Sequence, residues 1–117
     1  MSTPPVYPRA DRELTQMRQS HAPSQFAAFQ QFSQQAFAKG ALDVRTKQLI
    51  AVAVAHVTQC PYCIRGHTKA ALKAGASREQ IMEAVWVAAE MRAGAAYAHS
   101  LLALDTMREE DAKADSA

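Results

Sequence analysis

The segment from Asp43 to Gly75 reads DVRTKQLIAVAVAHVTQCPYCIRGHTKAALKAG and contains the boundaries of two predicted helices. Asp43 is a typical N-cap for the first helix, because its carboxylate can accept a hydrogen bond from a backbone N–H of the first turn. The apolar positions of this helix cover much of its circumference, so we expect it to be central and buried on several sides. They are Leu49, Ile50, Val52, Ala53, Val54 and Val57. The second helix is predicted to begin near Cys60, with Pro61 at its first position, and to stop at Gly75.

Helical periodicity extends on both sides of this segment. Upstream, apolar residues recur at spacings of three and four from Ser24, which predicts a helix that closes at Lys39 and Gly40. This stripe consists of Phe26, Phe29, Phe32, Ala36 and Phe37. Downstream, Ser77 and Gln80 form a capping box that starts another helix. Its apolar stripe consists of Ile81, Met82, Val85, Trp86 and Ala89.

The last apolar region contains Gly94, which we expect to break or bend the chain. A fifth helix then carries Tyr97, Leu101 and Leu104. No segment of the sequence alternates polar and apolar residues as a strand does. The predicted fold is therefore all-α, a small helical bundle of about five helices. Its wide apolar faces exceed what one small subunit can cover, so we expect a homo-oligomer.

The composition limits the class of protein. The 117 residues suffice for one domain. We assign residues 1–10 to a flexible N-terminal arm, 11–108 to a single helical domain and 109–117 to a flexible tail. Apolar residues make up 49% of the chain, which excludes a wholly disordered protein. The formal net charge of +2 is too small to indicate a nucleic-acid or membrane-surface partner.

The sequence also indicates a cellular compartment. The longest uncharged stretch, Gln48–Ile64, is shorter than the about 20 apolar residues that cross a bilayer. Met1–Glu13 lacks the apolar run of a signal peptide. We therefore expect a cytoplasmic protein that does not enter a membrane. Thiols stay reduced in the cytoplasm, so a close cysteine pair indicates metal binding or redox chemistry more than a structural disulfide.

Cys60, Cys63 and His67 form a Cys-x-x-Cys-x3-His motif at the start of the second helix. At about 100° per residue all three project from one narrow stripe, and Cys63 and His67 are an i, i+4 pair. The helix dipole favours negative charge on thiols in the first turn, and His67 can take the proton of Cys63. Because an oxidised Cys63 can condense with Cys60, these residues suffice for a thiol redox cycle without a metal or another cofactor.

Other interpretations of the motif stay open. A zinc site made by its three side chains would need His56 or His99 as the fourth ligand. Two structural thiols beside a hydrogen-bonded histidine would carry no chemistry at all. A c-type haem is excluded, because Ile64 and not a histidine follows the second cysteine. A thioredoxin fold is excluded as well, because the sequence lacks the βαβ pattern.

A resemblance to the carboxymuconolactone decarboxylase superfamily covers about half of the chain. It rests on residues 46–77, which read TKQLIAVAVAHVTQCPYCIRGHTKAALKAGAS, and on residues 81–99, which read IMEAVWVAAEMRAGAAYAH. The alkyl hydroperoxidase D-like branch is the most similar, since its signature is Glu, eleven residues, Cys-x-x-Cys, three residues and His. The resemblance implies an all-helical fold that assembles into trimers or hexamers. It also implies peroxide reduction, in which Cys63 attacks the peroxide, Cys60 resolves the product and a lipoyl or thioredoxin-like dithiol recharges the pair.

Gln48 stands where this branch has Glu, twelve residues before the first cysteine. A carboxylate can orient a histidine and accept its proton, whereas an amide can only form hydrogen bonds. Gln48 can still hold the orientation of the imidazole. Glu83, Glu90 and His99 are the candidates to replace the missing acid, and we favour His99 because its neighbours are small and apolar.

We predict a thiol-dependent peroxidase or disulfide oxidoreductase that reduces organic hydroperoxides with a dithiol donor. Its site residues are predicted to be Cys60, Cys63, His67, Gln48 and His99. Two other hypotheses stay open. A non-enzymatic redox sensor or binding module would be oxidised without repeated turnover. An enzyme of the carboxymuconolactone decarboxylase type, acting on a small lactone, would keep its activity after the loss of both thiols.

Overall fold

The computed structural model describes residues 6–116, which form five α-helices and no strand. The helices are α1 (Arg12–His21), α2 (Pro23–Phe37), α3 (Val44–Thr58), α4 (Pro61–Lys73) and α5 (Arg78–Ser116). The prediction of an all-α fold with about five helices is confirmed. Residues 1–5 of the predicted arm and residue 117 of the predicted tail lie outside the described residues. The flexibility of both ends and the domain boundaries stay predictions.

Capping residues start two of the helices as the sequence predicts. Asp43 accepts a hydrogen bond of 2.7 Å from the N–H of Thr46 and so caps α3. Ser77 and Gln80 exchange hydrogen bonds of 2.9 and 3.0 Å, which form the capping box of α5. Gly75 follows α4 with a φ of 96°, a left-handed conformation that favours glycine.

A first helix, α1, lies in a region for which the hydrophobic pattern predicted none. Asp11 caps it by accepting a hydrogen bond of 2.8 Å from the N–H of Leu14. Pro23 cannot continue a helix, so α1 ends before it and α2 begins at that residue. Leu14 and Met17 are the only large apolar residues of α1, so it carries no apolar stripe that periodicity could detect.

The prediction that Gly94 breaks or bends the last helix is wrong. α5 continues without interruption over 39 residues, so the predicted fourth and fifth helices are one helix. A single glycine costs a helix about 1 kcal/mol relative to alanine. That cost is smaller than the loss of hydrogen bonds at a break, and the alanines on both sides of Gly94 favour the helix.

The hydrophobic core lies where α3 packs against α4 and α5. Val52 of α3 is fully buried and packs with Ala71 of α4 and Ile81 of α5. Small side chains dominate this core, so the helices approach one another closely. α3 is therefore central, as expected.

One face of α3 is open, and the expectation of burial on several sides is wrong for that face. Ile50 is 48% exposed and Val54 is 52% exposed. These side chains border a cavity between α2, α3 and α4. The apolar residues of α3 thus do not all enter the core of this subunit. Some of them line a surface cavity instead.

The C-terminal part of α5 extends beyond the core. Ala88 is the last buried residue of this helix. Large apolar side chains remain exposed along its length, including Trp86, Met91, Tyr97, Leu101, Leu104 and Met107. Within residues 6–116 no helix has both the length and the hydrophobicity that a bilayer span requires. An apolar surface of this extent is typical of contact with another protein.

Candidate functional site

Cys60 is the N-cap of α4, and Pro61 occupies the first helical position as predicted. The sulfur of Cys60 accepts a hydrogen bond of 3.2 Å from the backbone N–H of Cys63. Both thiols are free and both are partly exposed. The sequence motif therefore places one sulfur at the end of the helix and the other in its first turn.

The two thiols differ in acidity because they interact with each other. The side chain of Cys63, and then its backbone N–H, form hydrogen bonds that lower the pKa of the Cys60 thiol. The same side-chain interaction, followed by burial, raises the pKa of the Cys63 thiol. The pair therefore loses its first proton from Cys60, where the helix dipole also favours negative charge.

The imidazole of His67 is held from two sides. Its Nδ1 lies 2.8 Å from Oε1 of the buried Gln48, and this hydrogen bond joins α4 to α3. The ring of Phe37, at the end of α2, stacks on the imidazole with centroids 5.0 Å apart and an angle of 22° between the planes. An amide oxygen can only accept, so Nδ1 carries the proton and Nε2 is the basic nitrogen.

A cavity of about 480 Å³ has Cys63 and His67 in its wall. Most of its remaining lining is apolar and comes from α2 and α3, including Phe37, Ile50 and Val54. A cavity of this size is typical of a site for a small molecule. Cys63 and His67 thus place one thiol and one base in the wall of an apolar space, whereas Cys60, an extended N-cap outside the helix, does not line it.

Within one subunit, His99 does not reach this cavity. It is an exposed residue of the part of α5 that extends beyond the core. Glu83 and Glu90 are exposed as well and are absent from the cavity lining. Of the five predicted site residues, the structure therefore brings together Cys60, Cys63, His67 and Gln48. The small apolar neighbours of His99 are the reason that we expected it in the site. In the structure these neighbours continue the long helix α5, and His99 stays exposed.

The arrangement does not favour the zinc interpretation. In the part of the chain that the structure describes, no three His, Cys, Asp or Glu side chains converge as a ligand set.

Sequence patterns do not identify the functional position of two cavity residues, Phe37 and Lys47. Phe37 ends the apolar stripe of α2, and that position is its one signal. Lys47 directly precedes Gln48 and therefore shares its end of α3.

Comparisons with known proteins agree with this fold. Residues 23–106 match the model of the Carboxymuconolactone decarboxylase family. The uncharacterized protein 4 of the cox locus in Paracoccus denitrificans is 69% identical over 84 residues, which cover 72% of this chain and 76% of the relative. A crystal structure of a carboxymuconolactone decarboxylase family protein from Legionella pneumophila is 38% identical with a TM-score of 0.62, covering 66% of this chain and 70% of that one. A crystal structure from Methanobacterium thermoautotrophicum is 34% identical with a TM-score of 0.66, covering 69% and 91%.

We expect iodoacetamide to alkylate Cys60 before Cys63 in the reduced protein at neutral pH. The thiolate is the reactive form, and the lowered pKa of Cys60 gives it the larger thiolate fraction. Peptide mass mapping after short exposure measures both sites. In Cys60→Ala the main cause that raises the pKa of Cys63 is removed, so alkylation of Cys63 should become several-fold faster. Faster labelling of Cys63 than of Cys60 in the wild type would contradict this assignment.

Proposed function

This chain belongs to the carboxymuconolactone decarboxylase family, and we propose that it reduces organic hydroperoxides through its cysteine pair with electrons from a dithiol. The observation that supports this proposal is the shared wall of the apolar cavity. Cys63 and His67 both line that wall, and Cys60 caps the same helix one turn away. A nucleophile, a base and a resolving thiol thus lie within two turns of α4.

In the proposed first step, the sulfur of Cys63 attacks the terminal oxygen of the hydroperoxide. The O–O bond breaks, the alcohol leaves, and Cys63 becomes a sulfenic acid. The raised pKa of Cys63 keeps this thiol protonated, so the attack requires a base to take its proton. Nε2 of His67 fills that role and returns the proton to the departing alkoxide.

In the proposed second step, Cys60 attacks the sulfenic acid of Cys63. A disulfide forms, the S–O bond breaks, and the departing hydroxide takes a proton from the solvent and leaves as water. The lowered pKa of Cys60 suits this role, because the resolving thiol is already a thiolate when the sulfenic acid appears.

A dithiol of the lipoyl or thioredoxin-like class then completes the proposed cycle. One of its thiolates opens the Cys60–Cys63 disulfide and forms a mixed disulfide. Its second thiol attacks that bond, so the donor leaves as a disulfide and both protein thiols return. Two electrons pass from the dithiol to the peroxide in each turn.

Gln48 modifies this chemistry without removing the base. Its amide oxygen holds the tautomer in which Nε2 of His67 is free to accept a proton. An amide has no charge, however, and cannot stabilise the imidazolium as a carboxylate would. We therefore propose that the imidazole works as a lone base, with no acid behind it.

We also propose that the subunit associates with further copies of itself through the exposed apolar side chains of α5. Trp86 is 69% exposed and Tyr97 is 83% exposed, and both lie on the helix that extends past the core. Burying such side chains is worth about 25 cal/mol for each Å² of apolar surface, which favours association. A trimer or a hexamer stays a prediction.

Wild-type protein should consume cumene hydroperoxide over many turnovers when dithiothreitol supplies electrons. Cys63→Ser should reduce turnover to the uncatalysed rate, because the attacking sulfur is lost. Cys60→Ser is the matched variant: exposed to the peroxide without any dithiol, it should react once and accumulate a sulfenic acid on Cys63, which dimedone labelling and mass spectrometry detect.

Other results of this assay would favour other functions. Turnover by Cys63→Ser equal to that of the wild type would exclude the proposal. A disulfide that forms once, with no further turnover in excess dithiol, would favour the redox sensor. Cleavage of a small lactone by the variant without both thiols would favour the decarboxylase type.

Light scattering should find more than one chain in each particle. Trp86→Glu combined with Leu101→Glu should shift the protein towards monomers, because two charges would enter the apolar contact. Glu109→Lys, an exposed polar position on the same helix, is the control and should leave the assembly intact. A monomeric wild type would contradict the proposed association.

A further inference from the structure

Among the described residues that line the cavity, Lys47 is the one side chain with a formal charge at neutral pH. We propose that its ammonium group binds the carboxylate of an amphipathic organic hydroperoxide, whose apolar chain lies along the open face of α3. This inference rests on the proposed function, because it names the class of peroxide that reaches Cys63. It adds a binding residue that the Cys-x-x-Cys-x3-His motif does not contain.

The position of Lys47 suits the recognition of an anion at one end of the cavity. Its side chain is half-buried, and its Nζ donates a hydrogen bond to the carbonyl oxygen of Ala38, which follows α2. An ammonium group has three donors, so two remain after this contact. The bond to Ala38 thus fixes the direction of the side chain and leaves charge and donors for a ligand.

The course of α3 separates the ammonium group from the reacting sulfur. Lys47 precedes Gln48, which contacts His67, and Cys63 lies one turn of α4 before His67. One helical turn, about 5.4 Å, and the length of the lysine side chain therefore separate the ammonium group from this sulfur. A carboxylate at Lys47 thus places a mid-chain hydroperoxide near Cys63.

The lining between these two points is suited to an uncharged chain. Ile50, Ala51 and Val54 project into the cavity from successive turns of α3, and Leu42 and Phe37 face them. Apolar walls with one cation at the end fit a molecule with one anionic group and a hydrocarbon body. Hydrogen peroxide would gain nothing from either feature.

The test compares the hydroperoxide of linoleic acid with that of its methyl ester, both below their micellar concentrations. The ester has the same chain and the same peroxide but lacks the negative charge. We expect the wild type to show a KM about fivefold lower for the acid, the ratio that a partly exposed ion pair supports. This preference should fall at high salt, because ions screen the pair.

Variants distinguish binding of the substrate carboxylate by Lys47 from a structural contact of Lys47 with the end of α2. Lys47→Met should abolish the preference for the acid over the ester, and Lys47→Arg should restore it. Arg45→Met, which removes an exposed cation of the same helix outside the cavity, should keep the preference of the wild type. The thermal midpoint of each variant shows separately whether the bond to Ala38 supports the fold.

Equal KM values for acid and ester in the wild type would overturn the inference, even if Lys47→Met does not fold. A preference that survives in Lys47→Met would overturn it as well. Failure of the proposed function has a different result, since neither lipid hydroperoxide nor cumene hydroperoxide would then be turned over.

Discussion

The hydrogen bond between Gln48 and His67 is the contact on which the site depends. It joins α3 to α4 at 2.8 Å, and Gln48 is buried around it. Leaving a buried polar group without a partner costs about 1–3 kcal/mol, so this bond supports the packing of the two helices as well as the orientation of the ring. Phe37 stacks on the same imidazole and brings α2 to it. Three helices therefore meet at one side chain, and the cavity lies between them.

The start of α4 gives the two cysteines different chemistry. Cys60 is the N-cap, and its sulfur accepts a hydrogen bond from the backbone N–H of Cys63. An oxygen-bearing side chain usually accepts this bond. A sulfur that caps a helix is stabilised as a thiolate, and its neighbour stays protonated and turns towards the cavity. Cys60 is thereby suited to attack a sulfenic acid on Cys63, whereas Cys63 depends on His67 as its base. This division follows chiefly from the interaction between the two cysteine side chains, and the capping bond adds to it at Cys60.

Local rules predicted the helix boundaries well where the signal acts within a few residues. Asp43, Pro61 and Gly75 occupy their expected positions because caps and turns depend on the neighbouring backbone alone. The pattern failed for α1, because its two large apolar residues, Leu14 and Met17, are too few to form an apolar stripe. It also failed at Gly94, because a local penalty of about 1 kcal/mol is smaller than the cost of interrupting a long helix.

The motif alone places Cys63 and His67 on one stripe, because helix geometry sets the direction of residues four positions apart. The packing of the helices, in contrast, brings Gln48 and Phe37 to this imidazole, leaves Cys60 at the helix end and keeps His99 outside the cavity of its own subunit. Those distances depend on how α2, α3 and α5 pack around α4. Many small apolar contacts determine that packing together, and no single spacing in the sequence contains it.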